Sequence, residues 1–307
     1  MALLTISIPI YNRYRYLEMM LHRFMQDKSL FDNTINLFIS DNCSEEDLAS
    51  VCKKYQDQGL KLEYNRNVEN LGMDGNFEIC INKGKDSEYL WVLGSDDIPT
   101  IGVFDVILPL LTAGVNAIHL SDVKGEVEKK TYDNAVEYLK DIGVMITFLS
   151  ANIISTREIP NIDLKRYKGT FFTQMPVYIT TILTGKINVY LKFQYLQGGS
   201  DYQNNGGYNF FRVFMDNYFS IWEEFVIKGY LSCKDYECIK RESFENFHWN
   251  YIKRTLLGLP SQALDMSGCI KTVFRHFGTK PYLYVHLVRI FPQIAKTKVK
   301  NLCFFYK

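Results

Sequence analysis

The spacing of apolar residues switches repeatedly along the first hundred positions. Residues 3–10 (LLTISIPI) are apolar and β-branched and close on Pro9, which suits a buried strand and its end. Leu17, Met20, Leu21 and Phe24 then fall at helical spacing within RYLEMMLHRFM. INLFIS reads as a second strand and SEEDLASVCKKYQ as a second helix, with Ser44 and Asp47 forming an N-cap pattern near its start. LKLEYN is a third strand, DGNFEICINKG a third helix and YLWVLG a fourth strand. Periods that exchange about every dozen residues predict an α/β fold with a parallel, doubly wound sheet.

Beyond residue 100 the pattern loosens. DVILPLL, NAVEYLKDI and TQMPVYITTIL read as helices; NAIHLSDV, VMITFLSANIIS and INVYLKFQYL read as strands. Residues 208–258 read as two long helices broken at GYLSCKD, and the remainder shows weak periodicity. The expected division is an α/β domain over residues 1–205 and a mainly helical extension over 206–307.

Ligands of such sheets sit beyond the carboxyl ends of the strands. There the chain places Pro9-Ile10-Tyr11-Asn12, Ser40-Asp41-Asn42, Asn65-Arg66-Asn67 and Gly94-Ser95-Asp96-Asp97. Adjacent carboxylates repel and lose solvation when covered, so Asp96 and Asp97 need water, a cation or a hydrogen-bonding ligand. A solvated turn explains one such triplet. Four polar strand ends on one edge argue for a binding site.

Composition narrows the class. With 47% hydrophobic and 22% charged residues the chain is an ordinary globular protein. Seven cysteines without a C-x-x-C pair fit reduced thiols and give no zinc spacing. MALLTISIPIYNR lacks the basic start of a signal peptide, and no apolar run reaches the roughly 18 residues of a membrane span, so a cytoplasmic protein is expected. The net charge of +1 hides an asymmetry: residues 266–307 carry eight basic and no acidic residues, leaving −7 for the rest.

PIYNR, SDNCS, the N-x-x-N-x-G stretch at Asn67, Asn70 and Gly72, and the strand running into Ser95-Asp96-Asp97 resemble, in that order, the N-terminal half of family 2 glycosyltransferases. Their fold is GT-A, a mostly parallel Rossmann-like sheet flanked by helices. The chain is similar to the bacterial O-antigen and capsule type, abequosyltransferases included, over residues 4–100 and again over 145–230. The resemblance implies a nucleotide-sugar-binding half over residues 1–100 and an acceptor half over 101–205. It also implies a nucleoside-diphosphate-sugar donor and a divalent cation, manganese or magnesium, held by Asp97. Asp96 would face the ribose or support the site. Asp41 would accept a hydrogen bond from the base, with a helix N-cap by Asp41 or Asn42 as the competing reading. Tyr11 would flank the base, Pro9 and Ile10 would line the pocket through their backbone, and Arg66 and Asn70 would meet ribose or phosphate. Asn76 would be at most a first-turn helix residue.

Transfer with inversion also needs a base for the acceptor hydroxyl. The matching helix start is Thr173-Gln174-Met175, and glutamine takes no proton, which leaves Gln174 to orient the acceptor. Asp201 in GGSDYQNNGGY is the nearest later carboxylate on a flexible segment, with Glu158 and Asp163 ranked below it. The Gly206-Gly207-Tyr208 turn is a candidate closing loop. His248, among aromatics, is expected to pack rather than bind metal.

The basic tail suits the anionic inner face of a membrane, where a lipid-linked saccharide acceptor resides, or simply a solvated helix. Nucleic acid is disfavoured, because the main body is acidic and shows no nucleic-acid motif. Two rival functions stand beside peripheral surface-polysaccharide synthesis. One is a catalytically inactive GT-A domain kept for assembly. The other is a nucleotidyltransferase, for which the glycine-rich loop after the first strand is missing.

Overall fold

A computed structural model describes residues 1–31, 33–197, 207–259 and 264–305, with side chains described as far as residue 294. The chain divides into two compact units, Met1–Asp201 and Tyr202–Lys307.

The first unit contains strands β1 (Ala2–Ile10), β2 (Ile35–Asp41), β3 (Leu62–Arg66), β4 (Ser87–Val92), β5 (Ile98–Pro99), β6 (Ala117–Asp122), β7 (Glu128–Tyr132), β8 (Asn152–Ser155), β9 (Asn188–Phe193) and β10 (Leu196–Gln197). Its helices are α1 (Tyr14–Phe24), α2 (Leu48–Asp57), α3 (Gly72–Lys83), α4 (Val103–Thr112), α5 (Ala135–Ile142) and α6 (Met175–Thr184). Eight strands form one sheet in the order β3-β2-β1-β4-β8-β6-β9-β7. Neighbours from β3 to β4 are parallel, as is β6 with β9. β8 runs antiparallel to β4 and β6, and β7 antiparallel to β9. The sheet is mostly parallel and has the GT-A layout, with the doubly wound pattern confined to its first half.

β1 is central, and eight of its nine residues are buried, as a strand covered on both faces requires. Leu4, Ile6, Ile8 and Ile10 share a core with Leu17 and Leu21 of α1, Val51 of α2 and Ile107 of α4. α3 packs on β1 and β2, and the right-handed crossover puts it on the other face.

Two local expectations change. VMITFLSANIIS is a strand only at Asn152–Ser155; before it lie two 3-10 turns, Gly143–Thr147 and Leu149–Ala151. The Asn152 side-chain amide donates to the Ile146 and Phe148 carbonyls and holds the chain folded there. The N-cap of α2 is Asp47, which accepts from Ser50 N at 3.0 Å, while Ser44 is engaged with Asp41.

The second unit is helical. A π-turn at Arg212–Asn217 leads into α7 (Tyr218–Ile227); α8 (Cys233–Ser243) continues through a π-turn at Phe244–His248 into α9 (Trp249–Leu256). The basic tail folds into α10 (Cys269–Phe277) and α11 (Pro281–Phe305). Phe210 stacks on Tyr251 with ring centroids 4.1 Å apart, and Phe244 packs on Phe277 at 4.8 Å and Tyr282 at 4.9 Å. His248 is buried among these rings with Nε2 2.7 Å from the Phe214 carbonyl, and burial lowers its pKa to about 4. It packs, as its aromatic surroundings in the sequence suggest.

Candidate active site

Parallel pairing of β3, β2, β1 and β4 brings their carboxyl ends to one edge. Ile10 lies opposite Asp41, and Asp41 opposite Arg66. Pro9 and Ile10 are buried, and the Ile10 carbonyl accepts from Asn42 N at 2.8 Å. Tyr11, the next residue, is 42% exposed on the rim.

The loops after β1 and β2 are stitched together. Asn12 adopts φ +49°, its amide donates to Ser44 Oγ at 2.9 Å, and its Oδ1 accepts from Glu45 N at 2.8 Å. Ser44 donates to Asp41 Oδ1 through its amide at 2.9 Å and its hydroxyl at 2.5 Å. The Tyr64 hydroxyl donates to Asp41 Oδ2 at 2.6 Å, and the Arg66 guanidinium stands 4.0 Å off. Asp41 is fully buried, with both oxygens engaged. It caps no helix; it braces the turn that begins at Asn42.

Asn70 Oδ1 accepts from Asn42 Nδ2 at 2.8 Å and from Gly72 N at 2.9 Å, which ties the end of β2 to the start of α3. Asn76 is a buried hub: its Oδ1 takes Ser40 Oγ at 2.6 Å and Asn67 Nδ2 at 3.1 Å, and its Nδ2 donates to the Ser40 carbonyl. It belongs to the scaffold rather than to an ordinary first turn. Arg66 remains 46% exposed at the same edge.

The Asp96–Asp97 pair follows β4. Asp96 Oδ2 pairs with the Arg13 guanidinium at 2.7 Å, joining this loop to the one after β1. Asp97 Oδ2 accepts from Ser150 Oγ at 2.6 Å, and that hydroxyl accepts from Gly94 N at 2.8 Å. A Cβ at Gly94 would lie 2.7 Å from Asp97 Oδ2 and 3.2 Å from Ser150 Oγ, so the close approach requires glycine. Burial pushes the Asp97 pKa up to about 6; the Ser150 hydrogen bond opposes this, and the Asp96 charge adds to it. Asp122, at the end of β6, contributes a further repulsion.

Hard divalent cations take oxygen donors, and those bound with phosphates recruit only one or two carboxylates. The pair fits that chemistry: two adjacent carboxylates, of which Asp97 is raised in pKa by burial although the Arg13 charge opposes the rise, packed closely against Gly94. Among the described residues no cluster of three or more His, Cys, Asp or Glu completes a metal cage, so the remaining ligands would come from phosphate and water.

The acceptor-side residues stand differently. Gln174 precedes α6 and is 2% exposed; its Nε2 donates to the Thr147 carbonyl at 3.0 Å, and its Oε1 is buried without a partner. Glu158 bonds Asn161, and Asp163 caps the turn at Leu164–Tyr167, so both serve local turns. Asp201 and Gly206 lie outside the described residues. Gly207 is described, with φ +89°.

Sequence reasoning missed Asp74, Arg13 and Ser150. Asp74 is buried in α3; its Oδ2 accepts from Gly169 N at 2.7 Å and Phe171 N at 3.2 Å, and its Oδ1 from Thr173 Oγ at 2.9 Å. It clamps the segment leading to Gln174, where Phe171 takes φ +68°. Its one visible signal is an acid inside the first turns of a helix otherwise read for its asparagines.

A model described as Glycosyl transferase family 2 matches residues 5–181, more than half of the chain. The chain belongs to glycosyl transferase family 2. The chain is 33% identical over 96 residues to the abequosyltransferase RfbV of Salmonella typhimurium. That match spans 31% of this chain and 28% of the relative's length. Among solved structures, the S. aureus TarS fragment 1-349 in complex with UDP superposes with TM-score 0.64 at 13% identity, covering 98% of this chain and 88% of that one. The mannosyltransferase PcManGT from Pyrobaculum calidifontis, in complex with GDP-Man and Mn2+, gives 0.51 at 13% identity, covering 97% and 86%. At such identities the structures speak for the fold alone.

Proposed function

We propose that the chain transfers a glycosyl group from a nucleoside-diphosphate sugar to a saccharide acceptor carried on a lipid, at the cytoplasmic face of the membrane, in building a bacterial surface polysaccharide. The observation that carries this reading is the Asp96–Asp97 pair at the carboxyl edge of the sheet, tied by Arg13 to the loop after β1 that holds Tyr11. The partial abequosyltransferase likeness supports the saccharide class.

In this reading Tyr11 flanks the base, and Asp41 shapes the base pocket through the turn it braces. Arg66 and Asn70 border the ribose and phosphates. Asp97 would hold manganese or magnesium, with Asp96 facing the ribose or supporting the site, and the cation would offset charge on the departing diphosphate. Arg13 holds the Asp96 carboxylate in place through their ion pair. Gln174 has no proton-accepting group and its side chain is committed to Thr147, so its part is to fix the start of α6. The base for the acceptor hydroxyl is assigned to Asp201, and Asp201→Asn tests it through loss of transfer with donor binding retained.

A thermal-shift series of nucleoside diphosphates, with and without manganese, tests the whole reading, because a ligand selective for the folded state raises the melting temperature. One diphosphate should give a metal-enhanced shift, and Asp97→Ala should abolish the metal-dependent part. It should also lower transfer by about two to three orders of magnitude. If no nucleotide shifts the protein with any metal, the inactive assembly reading takes its place.

A further inference from the structure

Helix α11 is apolar on two sides. Leu283 and Ile290 are buried within the second unit, while Tyr284, Val288 and Phe291 stand 48%, 73% and 69% exposed. Their spacing of four and then three residues places them in one stripe along the helix. Val285 widens it, and Ile270 and Phe274 of α10 extend it, the Phe274 ring lying 6.5 Å from that of Tyr284. A helix face turned to water ordinarily carries charge. A contiguous apolar surface of this kind marks a place of contact.

The charges at its margin select the partner. Lys271, Arg275 and Arg289 are exposed around the stripe, and residues 266–307 contain no acid at all, whereas the remainder of the chain sums to −7. Arg275 spends part of its charge on Asp216 at 2.9 Å. We propose that α10 and the first half of α11 dock on the surface of an anionic lipid bilayer, with the aromatic and branched side chains in the headgroup boundary and the cations on lipid phosphates. The stripe lies on the outward side of a helix rather than in a groove, which suits a deformable layer better than a peptide. Among the described residues no helix is long and apolar enough to cross a membrane, so the contact is interfacial. This face uses none of the donor-site residues.

The test is flotation of the full chain with vesicles of phosphatidylcholine alone or mixed with phosphatidylglycerol. Binding should be roughly tenfold stronger on the anionic vesicles and weaken with salt. Val288→Glu with Phe291→Glu, at positions whose exposure spares the fold, should abolish it; Lys271→Gln with Arg289→Gln should reduce it. The nucleotide-dependent thermal shift should be the same in both variants and the parent, so failure here is distinct from failure of the donor reading. Equal binding to neutral vesicles, no binding to anionic ones, or undiminished binding by the glutamate variant overturns the proposal. So does a concentration-dependent dimer that the glutamate variant abolishes in the absence of vesicle binding, which would give the stripe to a second copy of the chain.

Discussion

The two units are held by different interactions. In Met1–Asp201, buried polar side chains reach far along the chain: Asp41 to Tyr64, Asn67 to Asn76, Asp74 to Gly169 and Thr173, and Asp97 to Ser150. In Tyr202–Lys307, ring packs on ring around Phe210, Phe219, Phe244 and Phe277. Hydrogen bonds fix direction, whereas aromatic packing mainly supplies area. A sheet edge that has to hold loops in one geometry uses the first; a helical extension needs only the second.

Substitutions sharpen the contrast. Phe244→Ala removes the ring between Phe277 and Tyr282 and should cost about 3–5 kcal/mol, read in urea melts. It should leave nucleotide binding intact in the surviving folded fraction, and loss of binding there would blur the division. Asp74→Ala strands three donors and should cost roughly 3 kcal/mol. Its signature is selective: faster hydrogen exchange at the Gly169 and Phe171 amides, with rings of the second unit unaffected. A uniform rise in exchange would show that Asp74 is not a local clamp.

Acid gives the smallest effect and touches both units equally. His119, bonded to Asn152, and His248 are each buried, and burial lowers each pKa to about 4 from 6.5. The unfolded chain therefore binds protons that the folded one does not between those values. The histidine contribution is full above pH 6.5 and falls as pH drops toward 4, by about 1.4 kcal/mol per histidine at pH 5.5, while Asp97, raised to about 6, acts in the opposite sense. His119→Gln and His248→Gln should each flatten part of that slope in pH-dependent melts. A slope unchanged in both variants would place the proton uptake elsewhere.

Much of the first unit was legible because strand and helix periods are local. Four polar strand ends were visible as such, and parallel pairing brought them together. The bonds that set their geometry were not legible, since Asp97 meets Ser150, and Asp74 meets Thr173, only after the sheet forms. Nor does the sequence show that Tyr64, from the neighbouring strand, donates to Asp41. VMITFLSANIIS alternates like a strand yet turns twice, because Asn152 takes up the carbonyls that a ladder would use. Within the tail α10 is strongly one-sided, whereas α11, apolar on two sides, has no single-faced signal.

The seam between the loops after β1 and β2 also bears on redesign. Asn12, Ser44, Glu45 and Glu46 exchange bonds across it, with Asn12 and Cys43 both in left-handed backbone. Grafting either loop alone from a homologue would sever its partner's anchors. Swapping residues 11–14 and 42–46 as one cassette would carry those anchors together and leave the sheet edge intact.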